Sequence, residues 1–221
     1  MAFPFVVWAV ALAAAIAAGQ GNGDEIGTGV VVGGLLLTLV LQAILVGLAA
    51  ALTMGRYHLS WRELGFRPLA RDYYWAVAAV AIAGHALVLS YAAIVTAAGV
   101  DALAPQQGLQ DLFESRAVLP LVGVVTVLTA PLAEEFFFRG FVFPGLIRRL
   151  GVIGAALTSG LLFASFHVSS ADTAGLVIPF GVIGVALAGL YYYTGSLWST
   201  IGAHLIFNLI SFAVLAAVTG R

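Results

Sequence analysis

Apolar residues gather in seven runs, at about 3–19, 29–54, 73–98, 118–140, 152–169, 175–193 and 197–219, divided by short segments that hold Gly, Pro, Arg and acidic residues. Each run is near the roughly 20 residues that a helix needs to cross the hydrocarbon of a bilayer. The segment PQQGLQDLFESR, residues 105–116, has a different pattern: Leu109, Leu112 and Phe113 recur at helical spacing against Gln, Asp and Glu. A helix of that kind lies along the membrane surface. The pattern therefore predicts an all-α polytopic membrane protein, a bundle of about seven transmembrane helices plus one interfacial amphipathic helix, in a single transmembrane domain over 1–221. The small residues that end the first run resemble a signal-peptide cleavage site, but no basic residues precede it, so it is read as a retained helix.

Composition agrees. Hydrophobic residues make up 62% of the chain and charged ones 9%, too apolar a balance for a soluble domain that must cover its core. The chain has no cysteine, which excludes disulfides and thiolate metal sites. A formal net charge of -1 argues against nucleic acid as a partner. Arg56, Arg62, Arg67 and Arg71 follow the second run, and Arg148 and Arg149 follow the fourth, whereas Asp24, Glu25, Asp101, Asp111, Glu114 and Asp172 fall in the alternate connections. Positive residues mark the cytoplasmic side, so the N-terminus is expected inside, in a multi-pass protein of a prokaryotic plasma membrane.

Charge reappears where lipid should surround the chain. The stretch APLAEEFFFRGFVFPG, residues 130–145, places Glu134, Glu135 and Arg139 in or beside the fourth run. Each such group costs at least about 2.5–3.5 kcal/mol on insertion scales. Glu135 and Arg139 stand at i,i+4 and can pair on one helix face, while Glu134 points about 100° away and has no local partner. Later runs add FASFH, with Phe163 and His167 at i,i+4, and HLIFN, with His204 and Asn208 at i,i+4. One intramembrane histidine is usually a packing residue. Polar groups on three separate helices are better explained as a site. They supply a carboxylate to act as general base, imidazoles that can bind metal or share proton transfer, and an amide donor for an oxyanion, a set suited to attacking a carbonyl with water.

These motifs resemble those of the CAAX protease and bacteriocin-processing (CPBP, or Abi) family of intramembrane endopeptidases. EEFFFRG is similar to its E-E-x-x-x-R motif, FASFH to F-x-x-x-H, and the HLIFN of TGSLWSTIGAHLIFN to H-x-x-x-N, over roughly residues 60–215. The resemblance implies hydrolysis of a peptide bond in a membrane-associated substrate, prenylated and CAAX-like in the eukaryotic relatives. It makes Glu134 the water-activating carboxylate and His167 its partner or a metal ligand. His204 becomes a second ligand or an oxyanion stabiliser, Asn208 an oxyanion donor, and Glu135, Arg139 and Phe163 supporting residues. Zinc on His167 and His204 and a metal-independent glutamate mechanism both stay open, since the HExxH helix of zincins is absent. Two other classes also stay open: a non-catalytic scaffold or bacteriocin-immunity protein, and a small proton-coupled transporter. The partners implied are the lipid bilayer and a membrane-associated or lipidated peptide.

Depth constrains the fourth run. At 1.5 Å per residue, a helix ending at Arg139 would leave Glu134 about 8 Å from the cytoplasmic face, with His167 about 22 Å from it. Helix is therefore expected to continue through GFVFPGLI to Arg148, kinked at Pro144, with Arg139 buried beside Glu135. The glycines of GTGVVVGG, and Gly181, Gly184 and Gly189, are read as helix-packing residues. His58 is placed at headgroup level, His85 in a packing hydrogen bond, and Tyr191, Tyr192, Tyr193 and Trp198 in an interfacial aromatic belt.

Overall fold

The computed structural model describes residues 28–100, 103, 118–167 and 175–219. Helix α1 (Thr28–Ala50) runs on into a π-helical turn, Ala51–Arg56. A loop and the 3₁₀ turn Arg71–Tyr73 lead into α2 (Tyr74–Ala97). Next comes one long helical path: α3 (Leu119–Gly123), π-helical Val124–Thr129, α4 (Ala130–Glu135), π-helical Phe136–Val142 and α5 (Phe143–Ser165). Helices α6 (Val177–Thr194) and α7 (Leu197–Thr219) complete the bundle.

Among the described residues, five stretches are long and apolar enough to cross a membrane: Val31–Arg56, Arg71–Ala97, Leu119–Ser165, Val177–Thr194 and Leu197–Val218. The seven expected spans are not all accounted for. The 3–19 run and the interfacial segment 105–116 lie outside the described residues. The expected fourth and fifth spans form one path that turns back at Gly151, where φ is 65° and ψ 177° inside otherwise helical backbone.

No non-helical backbone thus marks the expected kink at Pro144, and the path turns at Gly151, between the expected helix end at Arg148 and the fifth run from 152. Only glycine adopts that backbone without steric cost, and it separates two apolar legs. The prolines within the path are absorbed differently. Pro131 follows the π-helical turn Val124–Thr129, and Pro144 follows Phe136–Val142. Proline has no N–H to donate and its ring presses on the carbonyl four residues back. A wider turn moves that carbonyl aside and lets the helix continue. Helix therefore does run through GFVFPGLI, as the depth argument required.

The α5–α6 pair is the tightest contact in the bundle. A Cβ at Gly160 would stand 2.8 Å from both the Gly181 carbonyl oxygen and the Val185 nitrogen, and one at Gly184 would stand 2.7 Å from Gly160 Cα. The expected role of Gly184 is met, with Gly160 as its partner. A Cβ at Gly189 meets nothing within 4 Å, so that glycine is not needed for packing. Behind this contact Phe138, Phe163, Ala164, Ile183, Leu187, Ala203 and Phe207 form the main buried cluster.

At one end of the bundle the loop after α1 closes on the α6–α7 turn. Leu197 N–H donates to the Gly65 carbonyl at 2.7 Å, and the Ser196 hydroxyl donates to the Arg67 carbonyl at 2.6 Å. Gly65 has φ 93°, and a Cβ there would lie 2.6 Å from the Tyr191 ring. Tyr191 also packs with Phe143, Leu146, Ile147 and Val152 around the Gly151 turn. Both arginine clusters therefore share an end. Tyr192, Tyr193 and Trp198 are exposed there, whereas Tyr191 turns inward. His85 bridges helices: its ring nitrogens contact the Ala81 carbonyl at 3.0 Å and the Ser211 hydroxyl at 3.2 Å, and it stacks on Phe207 with centroids 4.1 Å apart.

Two outcomes follow. Gly160→Val should lower stability in detergent by about 1–3 kcal/mol through overpacking, while Gly189→Ala should leave it unchanged or slightly raised, as read by thermal unfolding. In this cysteine-free background, Leu59→Cys and Val100→Cys, in the segments before and after α2, should react with an impermeant thiol reagent from opposite sides of the membrane. Labelling from one side would refute α2 as a span.

Candidate active site

Helix α4 carries both glutamates, and its position between two π-helical turns decides where they point. Glu134 and Glu135 are successive, so their side chains diverge by about 100°. Arg139 follows one turn later in the second π-helical segment. All three are buried: Glu134 is 1% exposed, and Glu135 and Arg139 are 0%. The i,i+4 pair forms, with Arg139 Nη1 donating to Glu135 Oε1 at 2.7 Å. Arg139 Nη2 donates to the Gly184 carbonyl of α6 at 2.9 Å. The glycine contact between α5 and α6 thus holds that carbonyl where the guanidinium can reach it.

Three further side chains converge from α5, the segment after it, and α7. His167 sits where α5 ends, and its Nδ1 donates to the Phe163 carbonyl at 2.6 Å. His204 Nδ1 donates to Glu135 Oε1 at 2.8 Å. A carbonyl and an ionised carboxylate only accept, so both rings carry the proton on Nδ1 and turn Nε2 inward. The Nε2 atoms of His167 and His204 lie 3.8 and 3.9 Å from Glu134 Oε2. Those separations exceed a hydrogen bond, and neither Glu134 oxygen has a hydrogen-bond partner among the described residues. The arrangement encloses a gap between one carboxylate and two imidazoles that a water molecule can bridge.

Phe163 underlies the whole cluster. Its ring lies 4.5 Å from the His167 ring, 5.9 Å from the His204 ring, and 4.7 Å from the Arg139 guanidinium carbon. Aromatic and cation–π contact therefore fix three polar groups on one apolar plate. Asn208 is buried one turn beyond His204, with Nδ2 donating to the Thr126 carbonyl at 2.7 Å. That bond uses one of its two amide hydrogens and orients the carboxamide plane.

The structure brings together six of the residues singled out from sequence, Glu134, Glu135, Arg139, Phe163, His167 and His204, while Asn208, one turn along α7, is placed on the Thr126 carbonyl. Three partners escaped sequence reasoning. The Gly184 and Thr126 carbonyls are backbone acceptors, which leave no side-chain signature. The His204–Glu135 bond joins positions 69 residues apart, which no local spacing reveals.

For zinc, the donor chemistry suits a metal, since each ligating imidazole would have its Nδ1–H anchored. The spacing does not. Tetrahedral ligands about 2.0–2.1 Å from zinc lie roughly 3.3–3.4 Å apart, closer than the 3.8 and 3.9 Å found here. No group of three His, Asp or Glu side chains among the described residues is arranged to hold a metal ion.

Comparison with known proteins falls on this region. Residues 116–210 match the family described as Type II CAAX prenyl endopeptidase Rce1-like. The match covers 95 of the 221 residues. All seven site residues lie in the matched segment. The chain is also 29% identical over 102 residues to "Putative membrane peptidase YdiL" of Bacillus subtilis (strain 168), an alignment covering 46% of this chain and 40% of the relative. The chain thus spans less than half the length of that protein. No solved structure matches it.

In this segment, removing one partner of the buried ion pair should be severe. Arg139→Leu should destabilise by about 3–5 kcal/mol by stranding a carboxylate. The Glu135→Gln/Arg139→Gln double variant should cost clearly less than the sum of its single changes. Chemical unfolding of the purified variants checks both, and strict additivity would mean that the pair is not coupled.

Proposed function

We propose that this protein is an intramembrane endopeptidase that hydrolyses a peptide bond in a membrane-associated, prenylated CAAX-like substrate with water activated by Glu134. One observation carries the reading: the Glu134 carboxylate faces two imidazole Nε2 atoms, at 3.8 and 3.9 Å, whose Nδ1 atoms are already committed. The Rce1-like match and the membrane peptidase relative support the same class of reaction.

Water in that gap donates to Glu134 and is oriented by an imidazole nitrogen. Glu134 takes its proton as the oxygen attacks the scissile carbonyl, whose π electrons move onto the carbonyl oxygen. Asn208 and a protonated imidazole are the donors for that oxyanion. Collapse of the intermediate breaks the C–N bond, and the proton held by Glu134 passes to the departing amine. Glu135 keeps the His204 ring in its tautomer and stabilises the imidazolium, while Arg139 keeps Glu135 ionised.

The arginine-bearing end of the bundle is placed in the cytoplasm of a plasma membrane. Zinc, if bound, would rest on His167 and His204 and would polarise water or carbonyl. The spacing favours the reading without it.

Glu134→Gln should lower hydrolysis of an S-farnesylated CAAX-type peptide by the 10²–10⁴-fold typical, to order of magnitude, of a lost general base, with the unfolding midpoint unchanged. Activity in Glu134→Gln equal to wild type would exclude the assignment, and so would active wild type that loses all activity on chelation and regains it with zinc exclude the metal-free form.

A further inference from the structure

Glu135 uses only one side of its carboxylate. Arg139 Nη1 and His204 Nδ1 both donate to Oε1, at 2.7 and 2.8 Å, whereas Oε2 is buried and accepts no hydrogen bond. Two donors on one oxygen leave the carboxylate plane free to turn about that oxygen. An unmatched carboxylate oxygen out of reach of water is also costly. Both points bear on the site, because Glu135 holds the His204 ring in its tautomer.

Thr200 stands one turn before His204 on α7, at i,i+4, so the two side chains share a helix face. Thr200 is completely buried, and its hydroxyl sits beside the Glu135 carboxylate, within hydrogen-bond reach. A threonine hydroxyl has one hydrogen to give. Here it goes to the Leu197 carbonyl at 3.1 Å, longer than the roughly 2.7–2.8 Å usual for a hydroxyl donor. Leu197 begins α7, so its carbonyl also has a helical partner in the backbone N–H four residues on and loses little when the hydroxyl turns away. A bond to an ionised carboxylate is about twice as strong as one to a neutral carbonyl, and hydrocarbon supplies no water to compete for it.

We propose that Thr200 is a positioning residue for the hydrolytic site: its hydroxyl hydrogen turns from the Leu197 carbonyl to Glu135 Oε2 and locks the carboxylate plane, so that Oε1 stays on the His204 ring. The inference rests on the peptidase reading given above and adds a residue outside the seven singled out from sequence. Thr200 acts through Glu135 and His204, not on the substrate.

The test compares Thr200→Val, which keeps the side-chain shape without the hydroxyl, with Thr200→Ser, which keeps the hydroxyl. Both are made in the full chain, reconstituted in liposomes and given the S-farnesylated CAAX-type peptide. Thr200→Val should lower kcat about tenfold, the lower end for a lost hydrogen bond to a charged group, with KM nearly unchanged and a similar unfolding midpoint. Thr200→Ser should restore most of the rate. A Thr200→Val enzyme as fast as wild type would overturn the proposal and leave the peptidase reading standing. So would a Thr200→Ser enzyme as slow as Thr200→Val, because the methyl group and not the hydroxyl would then matter. A second readout needs no turnover: exchange of the His204 Nδ1 proton with solvent, followed by ¹⁵N NMR of histidine-labelled protein. Exchange should quicken severalfold in Thr200→Val and stay near the wild-type rate in Thr200→Ser. If wild type cleaves no peptide, the peptidase reading fails for this substrate and the exchange readout decides alone, with equal rates in all three proteins overturning the proposal.

Discussion

A cation that sits in hydrocarbon must find all its partners inside the protein, and Arg139 is the group on which the arrangement of this bundle turns. Its guanidinium is fully buried and bonds to Glu135 on its own helix and to the Gly184 carbonyl on α6. The ring of Phe163 on α5 lies below it at 4.7 Å. Through Glu135 Oε1 the same network reaches His204 on α7 at 2.8 Å. Four helical elements are thus tied at one point in a medium that offers no competing hydrogen bonds. The close Gly160–Gly184 packing serves that point, because a wider α5–α6 separation would take the Gly184 carbonyl out of reach.

The network also divides labour between neighbouring identical residues. Glu135 Oε1 is engaged by both Arg139 and His204. Glu134, one position earlier, is left facing two imidazoles across a gap. The two neighbours thus have different surroundings, the condition under which paired carboxylates in acid–base enzymes take different roles. The π-helical turns on both sides of α4 are part of this division. They let Pro131 and Pro144 sit within a continuous helix, and the continuous helix carries Glu134 to the depth of His167.

Much of this could be read from the sequence because membrane burial makes charge conspicuous. Glu134, Glu135 and Arg139 stand out against phenylalanines, and i,i+4 spacing is enough to pair two of them. The histidines were legible for the same reason, and a rise of 1.5 Å per residue sufficed to extend the helix past Arg139. The turn between the fourth and fifth runs falls at Gly151, just past the Arg148 at which the depth argument ends the helix, whereas the kink expected at Pro144 is absent because the relief provided by a π-helical turn depends on hydrogen-bond register, which proline as a local signal does not reveal. The Gly184 and Thr126 acceptors were invisible, since a carbonyl is present at every position and only tertiary packing selects which one is used.

The central claim is that Glu134 acts on water and does not attack the substrate itself. Single-turnover hydrolysis in ¹⁸O-labelled water, followed by mass spectrometry of both the product and the protein, tests it most directly. The account predicts one ¹⁸O atom in the new product carboxylate during the first turnover and none in the Glu134 side chain. Label in Glu134, with unlabelled first-turnover product, would show a covalent acyl intermediate and contradict it.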